Sequence, residues 1–167
     1  KGMPAALLMS ALQASVRGQA LNGISDLAVF SANVNQLLYD MSPRSHFATL
    51  FYAIYDPASR RLLYANCGHN PPVILHASGT LGKLAPTGPG VGLSLRSTYR
   101  HAETTLHPGD ILLAFTDGIT EAMNSRNEEF GDDLLQEALR DAHTLAPEAV
   151  LQHIVNTVEE FVAGAPQ

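Results

Sequence analysis

Two amphipathic helical patterns open the chain. Over residues 4–17 the apolar side chains recur at three- and four-residue spacing, which predicts a helix that ends at Gly18. The same spacing over residues 26–41 predicts a second helix, with Ser25 as its N-cap and Pro43 just beyond its end. The short link between the two patterns predicts a helical hairpin.

The pattern then changes to that of β-strands. Residues 46–55 are aromatic and β-branched on both alternating faces, which is typical of a central strand covered on both sides. A turn at 56–59 and a returning strand at 61–67 predict a hairpin. Four further strand-like segments follow, the last of them wholly apolar and therefore predicted to be buried: 72–76, 81–85, 98–106 and 111–115.

Helical patterns close the chain at 131–142 and 147–162. The order of a helix pair, antiparallel strands and a second helix pair predicts an α+β fold. We expect a layered α-β-β-α sandwich, in which antiparallel sheets are flanked by helix pairs. A length of 167 residues suits one domain, so residues 1–167 are predicted to form a single domain.

Composition narrows the class of protein. Apolar residues make up 46% of the chain and charged residues 16%, which is globular rather than disordered. A membrane-spanning helix needs an apolar run of about 18 residues or more, and none approaches that length. The single cysteine, Cys67, excludes an internal disulfide and a Cys-rich metal cage, and is predicted to be a small buried apolar residue. We expect a cytoplasmic location.

Charge is distributed unevenly along the chain. Residues 117–160 hold eleven acidic residues and two arginines, whereas the remainder holds five acidic and eight basic residues. Lys and Arg form no stripe, so nucleic acid is not an expected partner, since phosphate neutralisation supplies most of that affinity. The acidic third is either a solvated helical face or a cation site, and both interpretations remain open.

Asp117 is the sharpest candidate for chemistry. It follows the apolar segment 111–115 at the point where the chain is predicted to leave the sheet. A carboxylate supplies the hard oxygen that Mg²⁺ and Mn²⁺ prefer, and Gly118 lets the backbone fold tightly beside it. Asp-Gly is also a common hairpin turn, although the helical pattern that follows weakens that interpretation. Metal ligation, a turn and the capping of a helical turn all stay open.

A second polar segment links two predicted strands at 66–72. Here His69 and Asn70 either contact a phosphate or another ligand, or hold the loop by hydrogen bonds to its own backbone. No H-E-x-x-H motif occurs, and the glycines of 86–92 lack the strand and helix that frame a phosphate-binding loop.

Several of these segments resemble one known family. The stretch Ala65-Asn-Cys-Gly-His-Asn-Pro-Pro72 is similar to the Asn-Ala-Gly-His-Asn-Pro-Pro segment of SpoIIE-type phosphatases, a bacterial branch of the metal-dependent (PPM, type 2C) protein serine/threonine phosphatases. Phe115-Thr-Asp-Gly-Ile-Thr-Glu-Ala122 resembles the Thr-Asp-Gly-Val-Thr-Glu-Ala segment of that branch. Further matches fall in family order from residue 1 to about 162.

The resemblance implies an enzyme with two divalent ions. Phosphoserine or phosphothreonine on a protein would be hydrolysed at two Mg²⁺ or Mn²⁺ ions that hold a bridging hydroxide. The implied substrate is a phosphorylated anti-anti-sigma factor (a STAS-domain protein), and a sensor or receiver domain in the same chain would control the activity. Control in this family acts through the first helix pair.

Only Asp117 matches a metal ligand of the family. Lys1 and Gly2 resemble the end of its Asp-Val-x-Gly-Lys-Gly loop, whose aspartate lies outside the sequence, and its final Asp-Asp-x-Thr strand is absent. We therefore expect a domain truncated at both ends that is inactive by itself and forms a homodimer through uncovered surface. The alternative is a catalytically degenerate phosphatase fold that serves as a protein–protein interaction module.

Overall fold

The structure is a computed structural model that describes residues 3–21, 23–42 and 46–163, with the backbone alone for residues 3–7. The described residues fall into two compact units, Lys1–His69 with Ala85–Thr105 and Asn70–Leu84 with Leu106–Gln167. The helices and strands, in chain order, are α1 (Met3–Leu21), α2 (Leu27–Met41), β1 (Leu50–Asp56), β2 (Arg61–Cys67), β3 (Val73–Leu75), β4 (Leu81–Lys83), β5 (Ala102–Thr105), β6 (Ile111–Leu113), α3 (Asp117–Thr120), α4 (Gly131–Asp141) and α5 (Pro147–Val162).

The first unit combines the helix pair α1–α2 with an antiparallel sheet of order β1-β2-β5. In the β1–β2 hairpin Leu50 lies opposite Cys67 and Asp56 lies opposite Arg61. The apolar stripe of α2 faces the core because its residues repeat at helical spacing. The residues of this stripe pack with residues of α1, β2 and the loops after β2. The buried core of the first unit consists of Leu12, Leu27, Phe30, Val34, Leu38, Ala65, Cys67, Val91 and Tyr99.

The second unit combines α3, α4 and α5 with an antiparallel sheet of order β4-β3-β6. All three residues of β3 are buried, since β3 is the middle strand of this sheet. Helices α4 and α5 bury one face each against that core. The buried set is Val73, Leu75, Ala122, Phe130, Leu135, Leu139, Ala142, Val150 and Ile154.

The predicted fold class is confirmed. The structure has mixed helix and antiparallel sheet content, with two small sheets flanked by helices. The predicted burial of Cys67 is also confirmed, because its side chain is fully enclosed and burial raises the pKa of its thiol. The assignment of residues 1–167 to one truncated phosphatase domain stays a prediction.

Two predictions about the first helix pair were wrong in detail. Helix α1 continues past Gly18 to Leu21, because one glycine in a helix costs only about 1 kcal/mol and does not stop it. The N-cap of α2 is Asp26 rather than Ser25, and its Oδ1 accepts a 2.7 Å hydrogen bond from the Ala28 N–H. Asp and Ser are both good N-caps, so the sequence does not choose between them.

β2 has its predicted bounds, whereas the other five strands are shorter than predicted and two of them are less buried. β1 begins at Leu50 and lies at an edge of the described sheet, with its last three residues exposed, so it is not a central strand covered on both sides. β6 is half-buried rather than fully buried. Apolar composition shows that a strand tolerates burial, whereas its neighbours in the sheet decide how much it receives.

In the described part of the chain, none of the helices combines the length and the apolar character that crossing a bilayer requires.

Candidate functional site

Strand β6 leads the chain to Asp117. It pairs antiparallel with β3, so that Leu75 lies opposite Ile111 and Val73 lies opposite Leu113. After residues 114–116 the chain leaves the sheet, and Asp117 is the first residue of the short helix α3. The predicted position of this carboxylate, just beyond an apolar strand, is therefore observed.

The Asp-Gly pair begins a helical turn and does not form a hairpin. The carbonyl oxygen of Asp117 accepts hydrogen bonds from the Glu121 N–H at 2.7 Å and from Thr120 Oγ1 at 3.3 Å. The N-cap is Thr116, whose backbone is extended, so Asp117 does not cap the helix. The hairpin and capping interpretations of Asp117 are thus both excluded by the backbone.

The Asp117 carboxylate is open to solvent. Its residue is exposed, and within the described part of the chain the carboxylate makes no hydrogen bond or ion pair. Gly118 is exposed as well, and a Cβ added there would have only Thr116 Oγ1 within 4 Å, at 3.7 Å. The carboxylate is therefore free to bind a cation, and the described neighbours of Gly118 leave room for a side chain.

Asn124 organises the segment after α3, and the sequence analysis missed it. Its buried Oδ1 accepts hydrogen bonds from the N–H groups of Arg126 at 2.9 Å and Glu128 at 3.0 Å, and its Nδ2 donates to Glu128 Oε2 at 2.8 Å. The hydrogen bonds from Asn124 and then Arg126 lower the pKa of Glu128. Asn at the start of a polar turn was the signal available, since its side chain commonly bonds the backbone two residues on.

The described residues do not by themselves form a two-metal centre. In residues 3–21, 23–42 and 46–163, no three His, Cys, Asp or Glu side chains come close enough to hold a metal ion. Divalent Mg²⁺ or Mn²⁺ usually takes several oxygen ligands, and one carboxylate cannot hold two such ions. Within these residues, the exposed Asp117 carboxylate is a single oxygen-donor group without a second acidic or histidine ligand assembled around it.

His69 lies in a loop of the first unit. The backbone of this loop comes close to Gly90 at the preceding residue, Gly68. Gly68 has a φ of 68°, and a Cβ there would stand 2.8 Å from the Gly90 nitrogen, so only glycine fits. Asn66 Oδ1 accepts the His69 N–H at 2.8 Å, and the ring Nδ1 of His69 lies 3.1 Å from Thr49 Oγ1. These bonds hold the half-buried imidazole in one orientation within the loop.

The other members of the predicted site are placed as follows. Asn70 is half-buried at the start of the second unit, the unit that also holds Asp117. Lys1 and Gly2 lie outside the described residues. Asp117 and Gly118 therefore follow one another in α3 of the second unit, whereas His69 contacts Thr49 in the first unit.

Asn35 is a further polar residue that the sequence analysis missed. It lies on the buried face of α2, where its Oδ1 accepts the Gly92 N–H at 2.8 Å and its Nδ2 donates to the Ser94 carbonyl at 3.0 Å. Gly92 has a φ of 89°, the left-handed region that favours glycine. Asn35 thereby fastens the glycine-rich loop, 88–92, to α2. An asparagine within an apolar stripe was the available signal.

Comparison with known families assigns the chain. The family described as Stage II sporulation protein E (SpoIIE) matches it over residues 1–167. The chain belongs to the SpoIIE family. The resemblance carried by the Asn-Cys-Gly-His-Asn-Pro-Pro and Thr-Asp-Gly segments is thereby confirmed.

Two curated proteins are similar to this chain over about 120 residues. Protein IcfG of Synechocystis sp. is 36% identical over 123 residues, which cover 71% of this chain and 19% of IcfG. Phosphoserine phosphatase RsbU of Bacillus subtilis is 32% identical over 122 residues, which cover 72% of this chain and 36% of RsbU. The SpoIIE-family segment thus spans well under half the length of these curated relatives.

A solved structure shows the same fold. The SiaA-PP2C domain of Pseudomonas aeruginosa superposes with a TM-score of 0.84 at 20% identity, covering 99% of this chain and 67% of that one. At that identity the likeness concerns the fold alone, and it places this SpoIIE-family chain among PP2C-type architectures.

Proposed function

We propose that the chain is part of a metal-dependent phosphatase domain that hydrolyses phosphoserine or phosphothreonine on a protein. The observation that carries the proposal is the match to the SpoIIE family over residues 1–167. The relative named phosphoserine phosphatase and the likeness to a PP2C domain both support it.

Asp117 is the residue to which we assign metal binding, with Mg²⁺ or Mn²⁺ as the ion. Its exposed and unpaired carboxylate, on the first residue of α3 just after β6, supports this role. Gly118, which follows Asp117 in α3, and the Lys1-Gly2 pair would lie near the site. His69 and Asn70 would either contact the phosphorylated substrate or shape the loop. The hydrogen bond that the His69 N–H donates to Asn66 and the one between the His69 ring and Thr49 favour the second role.

The substrate and the setting follow from the same likeness. We propose a phosphorylated anti-anti-sigma factor as the substrate, a cytoplasmic location, and a sensor or receiver domain elsewhere in the same protein. The match to RsbU supports a place in this kind of bacterial signalling. We also propose that residues 1–167 alone form a homodimer and turn over no substrate.

Replacement of Asp117 tests the enzymatic proposal in the full-length protein. Asp117→Asn keeps the size of the side chain and removes its charge, so we expect phosphatase activity to fall by at least about 100-fold, because metal ions supply most of the charge stabilisation in such reactions. Mn²⁺ affinity, measured by calorimetry, should fall at least about tenfold. Circular dichroism should show an unchanged fold.

Asp133→Asn is the matched control, since Asp133 is an exposed aspartate in the first turn of α4. It should leave both activity and Mn²⁺ affinity within about twofold of wild type. Full activity of Asp117→Asn would remove Asp117 from the site. Binding of a phosphoprotein by wild type without any turnover would instead favour the degenerate interaction module.

A further inference from the structure

An open groove runs between the last two long helices of the second unit. It has a volume of about 430 Å³ and is lined from both helices. Leu134, Ala138 and Asp141 follow one another on α4 at four- and three-residue spacing, and Thr157 and Phe161 do so on α5. The residues that line the groove thus lie along one face of each helix.

The floor of this groove is apolar. Phe130 and Phe161 meet edge to face, with ring centroids 5.4 Å apart. Ala138 is buried beside them, whereas Leu134 remains 37% exposed. The groove therefore offers apolar surface that another side chain can cover, which stabilises a complex in proportion to the area removed from water.

The rim of the groove is negatively charged. Glu137 and Asp141 on α4 and Glu160 on α5 are exposed at its edges. Within the described part of the chain, no Lys, Arg or His forms an ion pair with these three carboxylates. Arg140, the single Lys or Arg of the two helices, donates instead to Gln136 on its own helix. The charge on the rim is left for a partner to balance.

We propose that this groove is a docking site for a basic amphipathic helix of a partner protein. An apolar floor between two helices takes the apolar side chains that a third helix presents at three- and four-residue spacing. Lys and Arg at the flanks of that helix then reach the carboxylates of the rim. This docking is independent of phosphate hydrolysis, and uses residues that lie outside α3.

A designed peptide of 18 residues tests the proposal with the 167-residue chain. A fluorescein-labelled helix of Leu and Lys, with Leu at helical spacing, should bind wild type in a fluorescence-anisotropy titration. The same peptide with Glu in place of each Lys should bind at least about tenfold more weakly, since close charges of equal sign repel. Equal binding of the two peptides would overturn the choice of a basic partner.

Neighbouring residues of α5 provide a matched pair of variants. Glu160→Lys reverses a charge on the rim and should weaken binding of the Lys peptide at least about tenfold. Glu159→Lys makes the same change of charge one residue earlier, outside the groove, and should weaken binding less than about twofold. Equal weakening by both variants would show that the peptide is attracted to the acidic surface in general. That result would overturn the proposal that it binds in the groove.

Leu134→Ala tests the apolar floor. Because Leu134 is partly exposed, the variant keeps the fold, which circular dichroism checks, and it should weaken binding about threefold to tenfold. Unchanged affinity in this variant would show that the apolar floor of the groove does not contribute to peptide binding.

Discussion

The Asp110 carboxylate joins two turns of the second unit. Its Oδ2 accepts the His107 N–H at 2.9 Å and lies 3.1 Å from His76 Nδ1, and its Oδ1 accepts the Ala77 N–H at 3.3 Å. The side chain is only 2% exposed. Burial alone raises the pKa of Asp110, but the hydrogen bonds from His107, His76 and Ala77 outweigh it, so the pKa lies below 3.8.

Asp110→Asn should therefore destabilise the protein at neutral pH. The carboxylate of Asp110 accepts with both of its oxygens, whereas an asparagine side chain has one oxygen that accepts and one NH₂ group that only donates. At least one of the three hydrogen bonds is therefore lost, and we expect a loss of about 1–3 kcal/mol in the free energy of unfolding at pH 7. Urea denaturation followed by circular dichroism measures this loss. Asp133→Asn, at an exposed position, should cost less than about 0.5 kcal/mol.

The effect of Asp110 depends on pH with a definite sign. Because its folded-state pKa is lower than the ordinary 3.8, the stabilisation is complete above pH 3.8 and is lost as the pH falls through the folded value. The difference in stability between wild type and Asp110→Asn should accordingly shrink on acidification below pH 3.8. A difference that grows in acid would contradict the proposed ionised state.

Among the helices, the buried face of α2 follows closely from the spacing of its apolar residues. Six apolar residues of this helix repeat at helical spacing. Of these, Leu27, Phe30, Val34 and Leu38 are buried, and Leu37 is half-buried. Met41, the sixth, is 63% exposed. Periodicity defines a face of a helix, and the last turn of a helix can extend beyond what that face packs against.

The contact between α2 and the loop 88–92 depends on Asn35. Asn35→Ala leaves the Gly92 N–H and the Ser94 carbonyl without this partner, so we expect a loss of about 1–3 kcal/mol in the free energy of unfolding. Chemical denaturation of the 167-residue chain measures it. Asn33→Ala, on the exposed face of the same helix, removes one solvent-exposed hydrogen bond to Gln19 and should change stability by less than about 0.5 kcal/mol.

If both asparagine variants cost the same, the buried bonds of Asn35 do not stabilise the loop. A loss confined to Asn35→Ala would show that a side chain of α2 holds the glycine-rich loop in place.

For the whole molecule, the uneven charge of the sequence coincides with the division into two units. Lys1–His69 with Ala85–Thr105 contains four acidic and seven basic residues, whereas Asn70–Leu84 with Leu106–Gln167 contains twelve acidic and three basic residues. The first unit is thus net +3 and the second net −9 with His neutral. The acidic character belongs to the unit that holds both Asp117 and the groove between α4 and α5.

Residues 1–167 in isolation are expected to be inactive. We expect no Mn²⁺-dependent hydrolysis of a phosphoserine peptide by this chain, because its described residues assemble no group of three metal-binding side chains. The full-length protein, assayed at the same concentration, should be active. Turnover by both would show that Asp117 and its neighbours are sufficient, whereas turnover by neither would count against the enzyme.

Local sequence patterns were enough to predict the order and type of the main elements and the position of Asp117 just beyond an apolar strand. Helical periodicity and strand alternation are local properties, and a short motif is read from adjacent residues. Three features became visible only in the folded chain: β1 is an edge strand in the described sheet, Asn35 bonds to a distant loop, and an acidic groove lies between α4 and α5. Each of these features depends on contacts between residues that are far apart in the chain. The properties of single residues and of their sequence neighbours do not specify those contacts.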